Sequence, residues 1–305
     1  MSWSLILEHL FLVLAASILS IAIGLPLGIW AYVSKTVRPV ILRAVDLLQT
    51  IPSLALLGII MVFLDPGKLT VIIGITLYSL LPIVRNTCLG FQEVDPGVKE
   101  AARGMGMSKP YRVLMVEFPL AFPTVFTGIR IAVVNAIGTA VFAAYVGGGG
   151  LGRVITQAIR VEDMKLLLGA TAVLMVIAVV LDLLMGWFEN QMRKARGGSR
   201  KMWVPVIAIL LAFCLLLPFG RGSSGDLTLY DGDYSETQLM HHMVKMLVED
   251  RTDLTVTIRD QMSQVNNFKA LIGDGHTCDL MISYDGTLLT TFLGLDTTDV
   301  PEGAS

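Results

Sequence analysis

Residues 95–119 read DPGVKEAARGMGMSKPYRVLMVEFP, and this stretch decides how the chain is laid out. Asp95 followed by Pro96 is a helix start, because a carboxylate accepts from the first unpaired N–H groups and proline suits the first helical position. Val98, Ala101, Ala102 and Met105 then recur at helical spacing, beside Lys99, Glu100 and Arg103. Gly104 and Gly106 can end this helix. Ser108 and Pro110 open a second one, expected to run to about Glu117, with Pro119 and Pro123 beyond it. The spacing therefore predicts a short helix-turn-helix. Ala101 and Ala102 would let another protein surface come close, and Glu100 would give that surface an anchor. The plain alternative is an amphipathic hairpin lying at a membrane interface.

Outward from this hairpin the chain is apolar in both directions. Of the 305 residues 54% are hydrophobic and 16% charged, against roughly 25% charged in soluble domains. A hydrocarbon core of ~30 Å needs about 20 apolar helical residues, and six segments qualify: Leu7–Val33, Ile41–Leu64, Leu69–Gln92, Leu120–Val146, Leu166–Phe188 and Met202–Phe219. Helix is the expected form, since unpaired backbone groups are too costly in lipid. Pro26, Pro52 and Pro82 are expected to interrupt three of them. Lys and Arg concentrate in the first, third and fifth loops (Lys35, Arg38, Arg43; Lys99, Arg103, Lys109, Arg112; Arg193, Lys194, Arg196, Arg200, Lys201). The positive-inside rule then makes those loops cytoplasmic and puts the N-terminus and everything beyond Phe219 outside. Glu8, with no basic residue ahead of it, argues against a cleavable signal.

Several chemistries find no support. Cys88, Cys214 and Cys278 lie far apart and form no zinc or disulfide spacing. No GxxxxGK[ST] run occurs, so the chain is not expected to hydrolyse ATP. No metal ligand set is expected, and a formal net charge of −2 gives no argument for nucleic acid. Gly147–Gly152 formally contains GxGxxG but follows a membrane helix rather than a strand. It reads as a turn at the outer mouth where helices approach closely. Arg130 and Asn135 in the fourth span and Asp182 in the fifth are costly in lipid and should face the bundle interior, as part of a translocation path or gate or as a helix–helix bond.

Glu100-Ala101-Ala102, then Gly106, Val116 and Phe118-Pro119, resembles the EAA loop of ATP-binding-cassette (ABC) importer permeases: EAA, three residues, Gly, nine residues, Ile, one residue, Leu-Pro. Val stands for Ile and Phe for Leu. Residues 143–152 (AAYVGGGGLG), 49–53 (QTIPS) and 81–85 (LPIVR) are similar to segments of the permeases for betaine, choline and methionine. The resemblance covers residues 1–200 nearly whole. It implies a MetI-like permease fold, a second permease copy in a homodimer, and a separate ATPase that alone binds ATP. The loop at 93–119 would dock in a groove of that ATPase, with Glu100, Ala101, Ala102, Gly106 and Pro119 carrying the coupling. Arg130, Asn135, Gly147, Gly149 and Gly152 would line the path or gate.

Composition changes after the sixth span. Residues 201–225 hold that span and a short linker, and 226–305 read as a soluble α/β segment. Leu227–Tyr230 and Leu254–Ile258 are strand candidates and Thr237–Glu249 a helix. Asn267–Ile272 is a further helix and Asp279–Ser283 a buried strand. That order suggests a parallel sheet with helices on it. Residues 231–239 (DGDYSETQL) and 266–287 are similar to osmoprotectant-binding proteins, which implies the first part of an extracytoplasmic, periplasmic-binding-protein-like lobe. It is incomplete, as expected of a truncated product or a fragment. The implied cargo is a small cationic or zwitterionic solute: betaine, choline, carnitine or, nearest in resemblance, ergothioneine. Tyr234 and Tyr284 could supply aromatic faces and Asp231 and Asp285 carboxylates for a trimethylammonium group. The expected protein is thus an α-helical membrane permease with a partial α/β lobe, needing a bilayer, an ATPase and a solute. Rival readings are a permease for another solute class such as methionine, an ion-gradient transporter, and a membrane-anchored receptor.

Overall fold

The computed structural model of the chain describes residues 3–64, 66–194, 227–230, 235–252, 254–259, 271 and 278–282. The sixth expected span, Met202–Phe219, lies outside the described residues, as do Asp231, Tyr234, Tyr284 and Asp285.

Three helices make the core of the membrane part: α1 (Trp3–Val33), α4 (Lys68–Glu93) and α7 (Phe118–Thr139). Lipid tails are as apolar as leucine, so close backbone approach and hydrogen bonds must hold such helices together. Gly28 of α1 and Gly128 of α7 permit that approach. A Cβ on Gly28 would lie 2.5 Å from Thr87, and one on Gly128 2.6 Å from the Pro82 carbonyl. Ser20 and Thr76 cross-link α1 and α4, each hydroxyl donating to a carbonyl of the other helix at 3.3 Å.

Between α1 and α4 the chain forms α2 (Arg38–Thr50) and α3 (Ser53–Phe63), bent by 100° at their junction. The single span expected over Ile41–Leu64 is therefore a broken one. The pair starts beside the last turn of α1, where Arg38 bonds the carbonyls of Ala31 and Tyr32, and delivers the chain to Lys68, which pairs with Glu8 in the first turns of α1. Ile51 at the break is extended, as a residue before proline prefers. Pro26 and Pro82, expected to interrupt their spans, sit inside continuous helices. Pro82 cannot donate to the carbonyl of Tyr78, four residues back, and Gln49 donates to it instead at 2.9 Å. The Tyr78 hydroxyl in turn donates to the carbonyl of Ile51 at 2.9 Å, at the break. Segment 49–53 thus bonds to Tyr78 at the carbonyl that Pro82, in segment 81–85, leaves bare.

After α4 come α5 (Pro96–Gly104) and α6 (Lys109–Arg112), a π-helical turn (Val113–Glu117), α7, and a 3₁₀ turn (Ala140–Val146). The expected end of the second hairpin helix near Glu117 is overturned, because residues 109–146 form one 38-residue rod. Pro119 lacks an N–H, and the π turn ahead of it, where Phe118 N–H reaches Val113 O, absorbs the mismatch. A short amphipathic helix, α8 (Leu151–Arg160), not expected from the sequence, precedes α9 (Met164–Lys194). Among the described residues four helices are long and apolar enough to cross a membrane, and five spans result if the bent pair counts as one. These helices give the chain the layout of a multi-pass membrane protein.

Further on, β1 (Leu227–Tyr230) and β2 (Val256–Arg259) pair in parallel, with α10 (Ser235–Arg251) between them in sequence. Leu280 bridges Leu229 in parallel. The strands expected over 254–258 and 279–283 correspond to β2 and this bridge.

Candidate functional site

The hairpin's first helix starts and ends as its sequence predicts. Asp95 accepts from the N–H groups of Gly97 at 2.6 Å and Val98 at 3.3 Å, capping α5. Ser108 takes the corresponding position before α6 but makes no side-chain cap bond. Gly106 has φ +76°. Its N–H reaches Arg103 O, and Met107 N–H reaches Ala102 O, which is the Schellman closure that favours glycine there. Of the expected apolar stripe only Ala102 packs inward. Val98, Ala101 and Met105 face outward with Glu100, and Tyr111, Leu114 and Met115 extend this exposed apolar surface beyond the turn. Pro119 is exposed at the start of α7.

Beneath the hairpin, cations and a buried ion pair join it to α1 and α4. Lys109 donates to Val33 O at 3.2 Å, so the last carbonyls of α1 end on Arg38 and Lys109, as favours the negative end of a helix. Lys99 donates to Phe91 O at 2.8 Å and lies 5.4 Å from the centre of the Tyr32 ring. Arg112 donates to Glu117 at 2.8 Å, with both side chains nearly enclosed. The second oxygen of Glu117 accepts from Tyr32 Oη at 2.6 Å. Tyr32 stacks on Phe91, and Phe91 continues through Phe118 and Phe122 to Phe126. Tyr32, Arg112 and Glu117 were not singled out in the sequence. Residues five apart do not share a face of an α-helix, but in the π turn they do, and that turn carries no plain sequence signal.

The remaining expected site residues fall in two further places. Arg130 grips Asp182 with two hydrogen bonds of 2.7 Å and also reaches Glu189 at 3.2 Å, tying α7 to α9. Thr127 donates to the other oxygen of Glu189 at 2.8 Å. A Cβ on Gly186 would lie 3.0 Å from this guanidinium, so the glycine makes room for it. Asn135 sits on the exposed side of α7. At the opposite end of the bundle, Gly147 and Gly149 have φ of +71° and +76°, and residues 147–152 are all buried. Gly150 donates to Glu8 at 3.1 Å, and Gly152 lies so close to the Val141 carbonyl that no Cβ fits. The expected close-packed glycine turn is what is found.

The chain is similar to carnitine transport permease protein OpuCB of Listeria monocytogenes, 38% identical over 197 residues that cover 63% of this chain and 90% of that one. It is similar to osmoprotectant import permease protein OsmW of Salmonella typhimurium, 41% identical over 60% of this chain and 87% of that one. Choline transport system permease protein OpuBB of Bacillus subtilis is 34% identical over 62% and 87%. Among solved structures, an inward-facing MetNI methionine ABC transporter chain superposes with a TM-score of 0.58, 21% identity, and coverage of 61% of this chain and 93% of that one, a likeness of fold. A family model described as binding-protein-dependent transport system inner membrane component matches residues 10–194. With that match spanning the hairpin, the core helices and the glycine turn alike, this chain belongs to the family of binding-protein-dependent transport system inner membrane components.

Proposed function

We propose that the chain is the permease subunit of an ABC importer for a small quaternary-ammonium or zwitterionic solute of the betaine, choline, carnitine or ergothioneine kind. The solute class is supported by the names of its relatives, which are permeases for carnitine, osmoprotectants and choline. A partner ATPase supplies the ATP chemistry. The observation that carries the coupling is the exposed apolar face of the hairpin, standing on the buried Arg112–Glu117–Tyr32 cluster. Exposed apolar surface rimmed by charge at the inner end suits a docking groove on a soluble partner. In this reading Glu100 and Ala101 meet the ATPase, Ala102 seats α5 on the bundle, Gly106 sets the turn, and Pro119 fixes where the rod begins. A pull on the hairpin reaches α1 through Lys109 and Tyr32 and α4 through Lys99.

Asn135 and the turn of Gly147, Gly149 and Gly152 are assigned to the path and its outer gate, and Arg130 to the brace that makes α9 move with α7. The permease works as a pair. A homodimer is the simpler arrangement, and a pair of unlike permeases is the alternative, since both OpuCB and OpuCD of Listeria monocytogenes are relatives. The C-terminal segment is read as the start of an extracytoplasmic lobe, with Asp231, Tyr234, Tyr284 and Asp285 as candidates for holding the solute's cation.

The test replaces Glu100 with Ala, or Gly106 with Val, in the full chain reconstituted with its ATPase. Solute-stimulated hydrolysis and uptake are then measured together. Both are expected to fall at least about tenfold, since a lost hot-spot contact of about 1.4 kcal/mol is a factor of ten. Unchanged stimulated hydrolysis would remove the hairpin from the coupling.

A further inference from the structure

Arg85 of α4 and Arg130 of α7 both stand well inside helices long and apolar enough to cross a membrane, and they are engaged differently. Arg130 engages all three of its nitrogens: Nε and Nη2 hold Asp182 and Nη1 holds Glu189. Arg85 uses one nitrogen. Its Nη2 lies 2.8 Å from each oxygen of Asp46 and makes a hydrogen bond to Oδ2, while Oδ1 of Asp46, itself buried beneath the pair, makes none, so it is the Oδ2 side of the carboxylate that is open. Among the described residues Nε and Nη1 of Arg85 make no hydrogen bond. The two side chains are also open, at 57% and 37% exposure.

Their depth makes this openness informative. Arg85 stands eight residues before the inner end of α4 and Asp46 eight residues after the start of α2, each about 12 Å along its helix at 1.5 Å per residue. An arginine can snorkel from such a depth, but an aspartate side chain is too short to do so. A carboxylate held there, on an open face, must look into water or protein rather than lipid. The same open face of α4 carries Leu89 and Gln92, one and two turns further in. Beside it Thr124 of α7 donates to Glu93 at 3.0 Å.

We propose that the Asp46–Arg85 pair is a solute station in the inner half of the translocation path, and that it takes a small zwitterion by splitting. The free Nε–Nη edge of Arg85 receives the carboxylate in the two-pronged geometry that guanidinium favours, and the solute's cation lies against Asp46. A zwitterion is suited to this because each of its ends replaces the partner that the other side chain gives up. No unpaired charge is then left in the membrane interior. A solute that is only a cation would occupy Asp46 and leave Arg85 unpaired. This inference rests on the permease reading above.

The experiment reconstitutes the full chain with its ATPase in vesicles and compares uptake of glycine betaine, a zwitterion, with uptake of choline, which has no carboxylate. Arg85→Gln is expected to cut glycine betaine uptake at least about tenfold and choline uptake distinctly less, with Arg85→Lys recovering part of the difference. Asp46→Asn is expected to reduce both. Equal losses of the two solutes in Arg85→Gln, or no loss, would overturn the station. A wild-type chain that takes up neither solute would instead defeat the permease reading itself. A second variant does not touch the charges. With the native cysteines replaced by alanine, Leu89→Cys in the assembled complex should react with a water-soluble thiol reagent, and absence of reaction would place this face away from water and overturn the proposal.

Discussion

The two ends of the bundle are held by different means. At the inner end side chains do the holding. Arg38, Lys99 and Lys109 close on carbonyls of α1 and α4, and Arg112, Glu117 and Tyr32 form an enclosed cluster under the hairpin. At the outer end close backbone contact is added to a single acidic side chain. Gly150 rests on His9, Gly152 on the Val141 carbonyl, and Glu8 joins Lys68 and Gly150 from the first turns of α1. Long charged side chains hold a surface element in a fixed direction, so a pull on that element is passed on. Close backbone contact has no such reach but leaves no slack, which suits a seal.

That contrast can be broken by substitution. The largest effect is expected from Arg112→Met, which leaves Glu117 enclosed without its cation. The loss should be about 3–5 kcal/mol, read as a fall in thermal stability in detergent, and Arg112→Met with Glu117→Gln should recover part of it. If the single change were silent, the inner end would not depend on its ion pair. At the outer end Gly152→Ala sets a methyl against the Val141 carbonyl and should cost about 1–3 kcal/mol. Glu8→Gln keeps an acceptor for Gly150 and removes only a partly exposed ion pair, so it should cost less than about 1 kcal/mol. A reversed order of these two would mean that the outer end, too, is held by charge. The smallest contrast lies within the hairpin. Asp95→Ala removes a cap that is made and should cost about 1 kcal/mol, while Ser108→Ala removes one that is not and should fall within about 0.5 kcal/mol of wild type. No loss from Asp95→Ala, or an equal loss from Ser108→Ala, would show that the difference between a made and an unmade cap does not govern the hairpin.

The hairpin was legible because its signals are local. Asp95-Pro96 starts a helix and Gly106 ends it wherever they occur, and the strand at Leu227–Tyr230 likewise follows from its own residues. The basic first and third loops lie at the same end of the bundle, since Arg38 and Lys109 meet at one end of α1. The prolines were not legible one by one. Pro52 stands at a 100° break while Pro26 and Pro82 do not. What distinguishes Pro82 is Gln49 donating to the carbonyl it leaves bare, a partner 29 residues away in sequence. Arg130 and Asp182 were legible as a problem, two charges in apolar spans, but the answer needed Gly186 to clear space for the guanidinium. Arg112 and Glu117 escaped because their pairing depends on a turn whose cause, Pro119, lies after it.

The turn at Val113–Glu117 also fixes an angle. Each residue of an α-helix advances the chain by about 100° around its axis. Winding the same five residues as regular α-helix, in place of the single wide turn that lets Arg112 and Glu117 share a face, would rotate everything before them by roughly a quarter turn about the rod. Tyr111, Met105 and Glu100 would then look toward a different quarter, with every helix intact. The direction in which this protein offers its inner surface is set by the count of residues in one turn.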